Sequence, residues 1–261
     1  MLKAVLFDLD GTIYKGETAI AGADDALGKL RKRGIRVFFI SNAATESRAG
    51  VVKKLARMGV RSSEKEVYNA TYATAKCIKE NFRGKRVFCF GEKGMKEEFA
   101  KHGIKIVDDE RAEVVVVGLD RTIDYDKIAV SCNAIRNGAV FIATNEDALF
   151  PVEDGYLPGA GAMVAAVERC TRVKPFVIGK PGPYFAELII RENKLGKKEM
   201  LIVGDMLETD VKFAKNTGIK SVLVLTGMTK RKDLKNAAER PDYVLHSIAQ
   251  LPSLVEKLSR P

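Results

Sequence analysis

The sequence predicts an α/β protein: a doubly wound parallel sheet carrying a second α/β unit inserted into it. Three observations support this. Near-continuous apolar runs at residues 35–40, 200–203 and 219–225 have the pattern of strands buried on both faces. These runs alternate with helix-period stretches, as crossover connections require. Acidic or small polar residues stand at the carboxyl ends of the runs, where such sheets bind ligands.

The first element is a strand at residues 4–7, which runs into Asp8-Leu9-Asp10-Gly11-Thr12. Both carboxylates then lie just beyond the strand's carboxyl end, and Gly11 can supply a φ that other residues resist. Two acids so close repel each other unless a cation sits between them or one is protonated. Hard oxygen ligands suit Mg²⁺. An isolated Asp-Gly after a strand is ordinary turn chemistry; the pair with Gly-Thr behind an apolar run is a stronger signal. Residues 24–30 predict a helix ending at Gly34, acidic in its first turn and basic in its last. After the strand at 35–40 come Ser41 and Asn42, a hydroxyl and backbone N–H groups able to hold a phosphate, or simply a strand-to-helix turn. Thr45 is the expected N-cap of a helix carrying Val51, Val52, Leu55 and Met58 and stopped by Gly59.

Residues 71–174 hold a second set of elements. Helices are expected at 72–82, 95–102, 126–137 and 161–171, and strands at 86–90, 104–107, 114–117 and 139–143. About a hundred residues of this pattern suffice for a core of their own. Gly91-Glu92-Lys93-Gly94 is expected as a strand-to-helix turn. Gly159-Ala160-Gly161 lacks the third glycine and the following acid of a dinucleotide fingerprint. A loop at 145–151 exposes Leu149, Phe150 and Pro151 beside acidic residues. A short strand at 176–178 then leads back to the first set through Gly179-Lys180-Pro181, with Pro183 in the first turn of a helix reaching about residue 193. The strand at 200–203 runs into Gly204-Asp205, with Asp210 five residues on. Thr209 or Asp210 suits the N-cap of a helix at 211–216. A strand at 219–225, a further apolar segment at 243–245 and a helix at 251–258 close the chain.

Composition narrows the function classes. Hydrophobic residues at 46 % can build a core, and no run approaches the roughly 20 apolar residues of a membrane span. A strand pattern starting at residue 4 leaves no room for a leader, so the expected location is cytoplasmic. Four cysteines (Cys77, Cys89, Cys132 and Cys170) without a CxxC pair are expected to be reduced and mostly buried rather than zinc ligands or disulfides. The net charge of +10 would draw in anions, but its lysines and arginines are spread out, not clustered with aromatics, which argues against nucleic acid; small phosphorylated molecules fit it, and a solvated surface fits it best. His102 and His246 lie away from every candidate site, so no histidine chemistry is expected.

Asp8-Leu9-Asp10-Gly11-Thr12 resembles the signature of the haloacid dehalogenase-like phosphatases. Ser41, Lys180 and Gly204-Asp205 with Asp210 resemble that family's other three motifs, in order and over essentially the whole chain. The pattern is most similar to the NagD-like, 4-nitrophenylphosphatase branch. The resemblance implies a Rossmann-like core from residues 1–70 and 175–261, with residues 71–174 as an inserted α/β cap that lies over the active site and chooses the leaving group. It implies a Mg²⁺-dependent phosphatase acting on a small phosphorylated metabolite, with no nucleic-acid or membrane partner; a homodimer is compatible with it. Asp8 would be the nucleophile, forming an aspartyl-phosphate, and Asp10 the general acid and base. Mg²⁺ would be held by Asp8, the Asp10 backbone carbonyl and Asp205. Asp210 and Glu208 would orient its waters. Ser41, backbone N–H groups near Asn42, and Lys180 would spread the phosphoryl charge. Leu149, Phe150 and Pro151 are expected to form an apolar wall for the leaving group; some relatives carry a histidine about where Phe150 stands, and this chain departs there. A dehalogenase of the same fold needs neither Asp10 nor Asp205. A phosphotransferase or mutase would share all four motifs, and a phospho-accepting receiver-like module would place its acceptor on an inner strand after a separate acidic pair.

Overall fold

The computed structural model describes residues 1–152 and 155–259, with side chains at all of these except 151, 152 and 259. The chain divides into two compact units. One comprises Met1–Ser41, Val52–Tyr68 and Lys180–Pro261; the other comprises Asn42–Val51 and Asn69–Gly179.

In the first unit, β1 (Ala4–Phe7) leads to a small antiparallel hairpin of β2 (Tyr14–Lys15) and β3 (Thr18–Ala19), then α1 (Ala23–Lys32) and β4 (Arg36–Ser41). The helix α2 (Arg48–Arg57), which enters this unit at Val52, and β5 (Val67–Asn69), which leaves it after Tyr68, follow. α1 buries Ala23, Ala26, Leu27 and Leu30, the stripe that a 3.6-residue period puts on one face. α2 begins later than Thr45: the Ser47 hydroxyl accepts the Gly50 N–H at 3.4 Å, so Ser47 takes the capping place that Thr45 was expected to fill.

The second unit runs α3 (Ala70–Asn81), β6 (Arg86–Phe90), α4 (Lys93–Lys101), β7 (Lys105–Val107), β8 (Val114–Val117), α5 (Tyr125–Arg136) and β9 (Val140–Ala143). A hairpin of β10 (Leu149–Val152) and β11 (Gly155–Pro158), α6 (Ala160–Thr171) and β12 (Phe176–Val177) complete it. Its five-stranded sheet has the order β12-β9-β8-β6-β7, all neighbours parallel. Two stretches expected in the first unit belong here. Residues 175–179 do so because Phe176 and Val177 pair with Ile142 and Ala143. Residues 42–51 do so because Arg48 pairs with the fully buried Glu98, and Asn69 and Thr71 both donate to the Glu46 carbonyl. The expected loop at 145–151 ends in a strand: Leu149 pairs with Pro158 and Phe150 with Leu157.

The first unit resumes with α7 (Tyr184–Asn193), β13 (Met200–Gly204), α8 (Lys212–Thr217), β14 (Lys220–Val224), β15 (Tyr243–Leu245) and α9 (Leu251–Ser259). Its sheet order is β15-β14-β13-β1-β4-β5. β1 is central, parallel to β13 on one side and β4 on the other, with Phe7 level with Val203 and Phe39. Phe7 and Phe39 are both fully buried, their ring centroids 6.5 Å apart. Each such side chain contributes about 1.5–3 kcal/mol by leaving water. No helix among the described residues is long and apolar enough to cross a membrane.

Candidate active site

Strand order decides where chemistry-bearing side chains meet. The chain leaves β1 towards β4 on one side and returns to β13 on the other, so a crevice opens at the carboxyl end of β1. Asp8 follows β1, Ser41 ends β4 and Asp205 follows β13, all at that edge of the sheet.

Lys180 anchors the cluster. Its Nζ lies 2.6 Å from Asp8 Oδ1 and 2.6 Å from Asp210 Oδ1, and it is 3 % exposed. Burial alone would lower the Lys180 pKa, but the Asp210 and Asp8 charges outweigh it and hold the ammonium above its ordinary range. The other oxygen of Asp210 accepts the N–H groups of Asp205 and Met206, both at 3.1 Å. That geometry comes from a wide π turn at Leu207–Val211, which turns Asp210 back under the end of β13. Gly204 leaves it room, because a Cβ there would overlap Asp210 Cγ. α8 has no side-chain cap at its start, so neither Thr209 nor Asp210 serves as the N-cap. Asp210's carboxylate is instead fully engaged by Lys180 and two backbone donors.

Asp205 Oδ2 accepts the Met228 N–H at 2.6 Å. Gly11 adopts φ +74°, and a Cβ on it would come within 2.5 Å of the same oxygen, so this turn needs glycine for both reasons. The Thr226 hydroxyl donates to the Gly11 carbonyl at 2.6 Å and the Thr229 N–H to the Asp205 carbonyl at 3.2 Å. The loop at 226–229 is therefore part of the site, and sequence reasoning missed it. Its signal was present: Thr226-Gly227 directly follows a strong buried strand.

Carboxylate oxygens of Asp8, Asp205 and Asp210 all lie within 4.8 Å of one another. Burial raises the Asp205 pKa to about 7, with the Asp210 charge adding to it against the Met228 N–H. Burial likewise holds Asp8 well above the carboxylate range, Lys180 opposing and Asp210 and Asp205 reinforcing. Three acids thus face one ammonium, an all-oxygen set with surplus negative charge. Asp8 and Asp205 fit a hard divalent cation such as Mg²⁺, while the engaged Asp210 fits an outer, orienting position.

Asp10 lies outside this cluster, on the turn into the β2–β3 hairpin, and is exposed. Enough of the unit surrounds its carboxyl to raise its pKa, with Lys54 and the Gly16 N–H opposing. Lys54 also sits 4.4 Å over the Tyr14 ring and 3.5 Å from Glu17, tying α2 to the hairpin beside Asp10. Ser41 is buried. Asn42 lies in the second unit, where its amide donates to both oxygens of Asp147 at 3.1 Å and its carbonyl accepts from Asn145 at 2.8 Å. Glu208 is exposed and outside the carboxylate cluster. Successive residues of a strand face opposite ways, so Leu149 and Phe150 cannot share one wall. Phe150 packs against the second unit's core and Leu149 is exposed, while the side chain of Pro151 lies outside the described set.

Residues 5–105 match the family model described as haloacid dehalogenase-like hydrolase, and residues 177–251 match one described as HAD-hydrolase-like. A 5'-nucleotidase, YutF, of Bacillus subtilis (strain 168) is 36 % identical over 248 residues, covering 95 % of this chain and 96 % of that protein. The solved p-nitrophenyl phosphatase from Archaeoglobus fulgidus is 35 % identical with a TM-score of 0.93, covering 97 % of this chain and 99 % of that one. A glycerol phosphate phosphatase from Mycobacterium tuberculosis, solved in complex with magnesium, is 32 % identical with a TM-score of 0.88, covering 96 % of this chain and 76 % of its own.

Proposed function

The chain belongs to the haloacid dehalogenase-like hydrolases, in their NagD-like branch, and is a phosphatase of that family; we propose that it hydrolyses small phosphate monoesters in two steps through an aspartyl-phosphate on Asp8. One observation carries this reading: Asp8, Asp205 and Asp210 converge within 4.8 Å around the buried Lys180 at the end of the central strand.

Asp8 and Asp205, with the Asp10 backbone carbonyl, are the residues that would hold Mg²⁺. Bound there, the ion supplies Lewis-acid charge that screens the anionic nucleophile from the anionic substrate. A carboxylate oxygen of Asp8 attacks phosphorus as the ester oxygen leaves. Asp10, whose pKa is held above its ordinary value by burial of the carboxyl, donates a proton to that oxygen. Asp10 then takes a proton from the water that attacks the phosphoryl group on Asp8, and inorganic phosphate departs. Lys180 and the Ser41 hydroxyl neutralise phosphoryl oxygens; such a fixed donor is typically worth about 3–4 kcal/mol of barrier. Asp210 keeps Lys180 aimed at Asp8, and the Met228 N–H keeps Asp205 in place.

Substrate choice we assign to the second unit's hairpin, with the exposed Leu149 as its apolar contact. Relatives named as a 5'-nucleotidase, a p-nitrophenyl phosphatase and a glycerol phosphate phosphatase all support monoesters as the substrate class. The test is rapid quenching with a radiolabelled monoester, followed by peptide mapping. Label on the peptide carrying Asp8, and no turnover by Asp8→Asn, are expected. Label elsewhere, or full turnover by that variant, would refute the nucleophile.

A further inference from the structure

Two cysteines outside this site form a pair. Cys132 is on α5 and Cys170 on α6, helices that pack against each other in the second unit. Arg136, one turn after Cys132, donates to the Cys170 carbonyl at 2.8 Å and so fixes the two helices at this level. Cys132 is buried against the unit's core, one helical turn before the arginine that holds the Cys170 carbonyl; Cys170 is exposed, and both are free. Cys77 and Cys89 are buried.

We propose that Cys132 and Cys170 are a hydroperoxide-oxidisable dithiol that closes to a disulfide joining α5 to α6. The exposed Cys170 reacts first: its sulfur attacks one peroxide oxygen, the O–O bond breaks, and a sulfenic acid and one water form. The Cys132 sulfur then attacks the Cys170 sulfur, the S–OH bond breaks, and the released hydroxide leaves as a second water with the Cys132 proton. Overall two thiols lose two hydrogens and one hydrogen peroxide becomes two waters. Burial and the neighbouring Cys170 push the Cys132 pKa up to about 11, so the exposed Cys170 and not Cys132 meets the peroxide first, and Cys132 acts only through its closeness to the Cys170 sulfenic acid. Cys89, pushed up to about 12 by burial, stays inert. The bridge closes a loop that includes the β10–β11 hairpin, and cross-linking a loop of that length restricts the unfolded chain.

The full chain is treated with hydrogen peroxide under native conditions and mapped without reduction. A Cys132–Cys170 peptide, a thermal transition raised by several degrees and reversal of both by dithiothreitol are expected. Cys132→Ser should accumulate a dimedone-reactive Cys170, and Cys170→Ser should leave Cys132 unmodified at the same dose. A stable sulfenic acid on Cys170 of the unsubstituted chain, or a cross-link that forms only after unfolding, would overturn the proposal. Neither readout depends on phosphatase activity.

Discussion

Replacing Lys180 by methionine removes one ammonium and leaves two carboxylates facing each other. Both contacts are 2.6 Å long and both acids are nearly buried, so neither can recover its partner from solvent. Breaking a buried ion pair by deleting one member costs about 3–5 kcal/mol. For a unit of this size that lowers the melting temperature by on the order of 10 °C. The pH dependence has a definite sign. The folded-state pKa of Lys180 is raised above the unfolded value of 10.5, so its stabilisation is complete below that pH and is lost as pH rises through the folded value. The gap between the two proteins should therefore be full at neutral pH and shrink in strong alkali. Calorimetry in EDTA, which leaves the acids without a metal, measures it. Added Mg²⁺ should recover part of the loss, because a cation held by Asp8 and Asp205 returns positive charge to the same cluster of acids. Phosphate release should fall by roughly 10²–10³ with one phosphoryl donor gone. A Lys180→Met variant that melts with the unsubstituted chain in EDTA would refute the idea that this lysine holds the acids together.

Chelation with EDTA should stop turnover of 4-nitrophenyl phosphate and Mg²⁺ should restore it; undiminished activity in excess EDTA would remove the metal from the mechanism. Asp10→Asn should slow alkyl phosphates by about 10²–10⁴ but 4-nitrophenyl phosphate much less, since that leaving group departs without a proton; equal losses would argue against general acid catalysis. Gly204→Ala drives a methyl into Asp210 Cγ and should cost about 1–3 kcal/mol as well as activity, read by melting and by kcat. Leu149→Ser should lower kcat/KM for aryl phosphates more than for sugar phosphates, whereas Phe150→Ala, which removes a side chain packed against the second unit's core, should act mainly on stability.

Much of the site could be read in the sequence because strand-end chemistry is local. Asp8, Ser41 and Asp205 each follow an apolar run within one or two residues, and in a parallel sheet that position alone sends them to one edge. The unit boundaries were less legible. Phe176 and Val177 look like any buried strand, and only pairing with β9 assigns them to the second sheet. Leu149 to Pro151 read as a loop because the strand that completes the hairpin, Gly155–Pro158, carries no core-facing pattern of its own.

The sequence by itself determined which groups this chain can bring to a phosphate and along which strands they arrive, because periodicity and turn chemistry act over a few residues. Tertiary structure decided their partners. Asp210 reads as a helix cap or an orienter of the metal's waters, and its pairing with Lys180, thirty positions away in the chain, comes from the π turn and the missing Cβ of Gly204. Met228 reads as nothing until its N–H closes on Asp205. Such pairings depend on which strands lie side by side, and strand order is set by packing across the whole sheet.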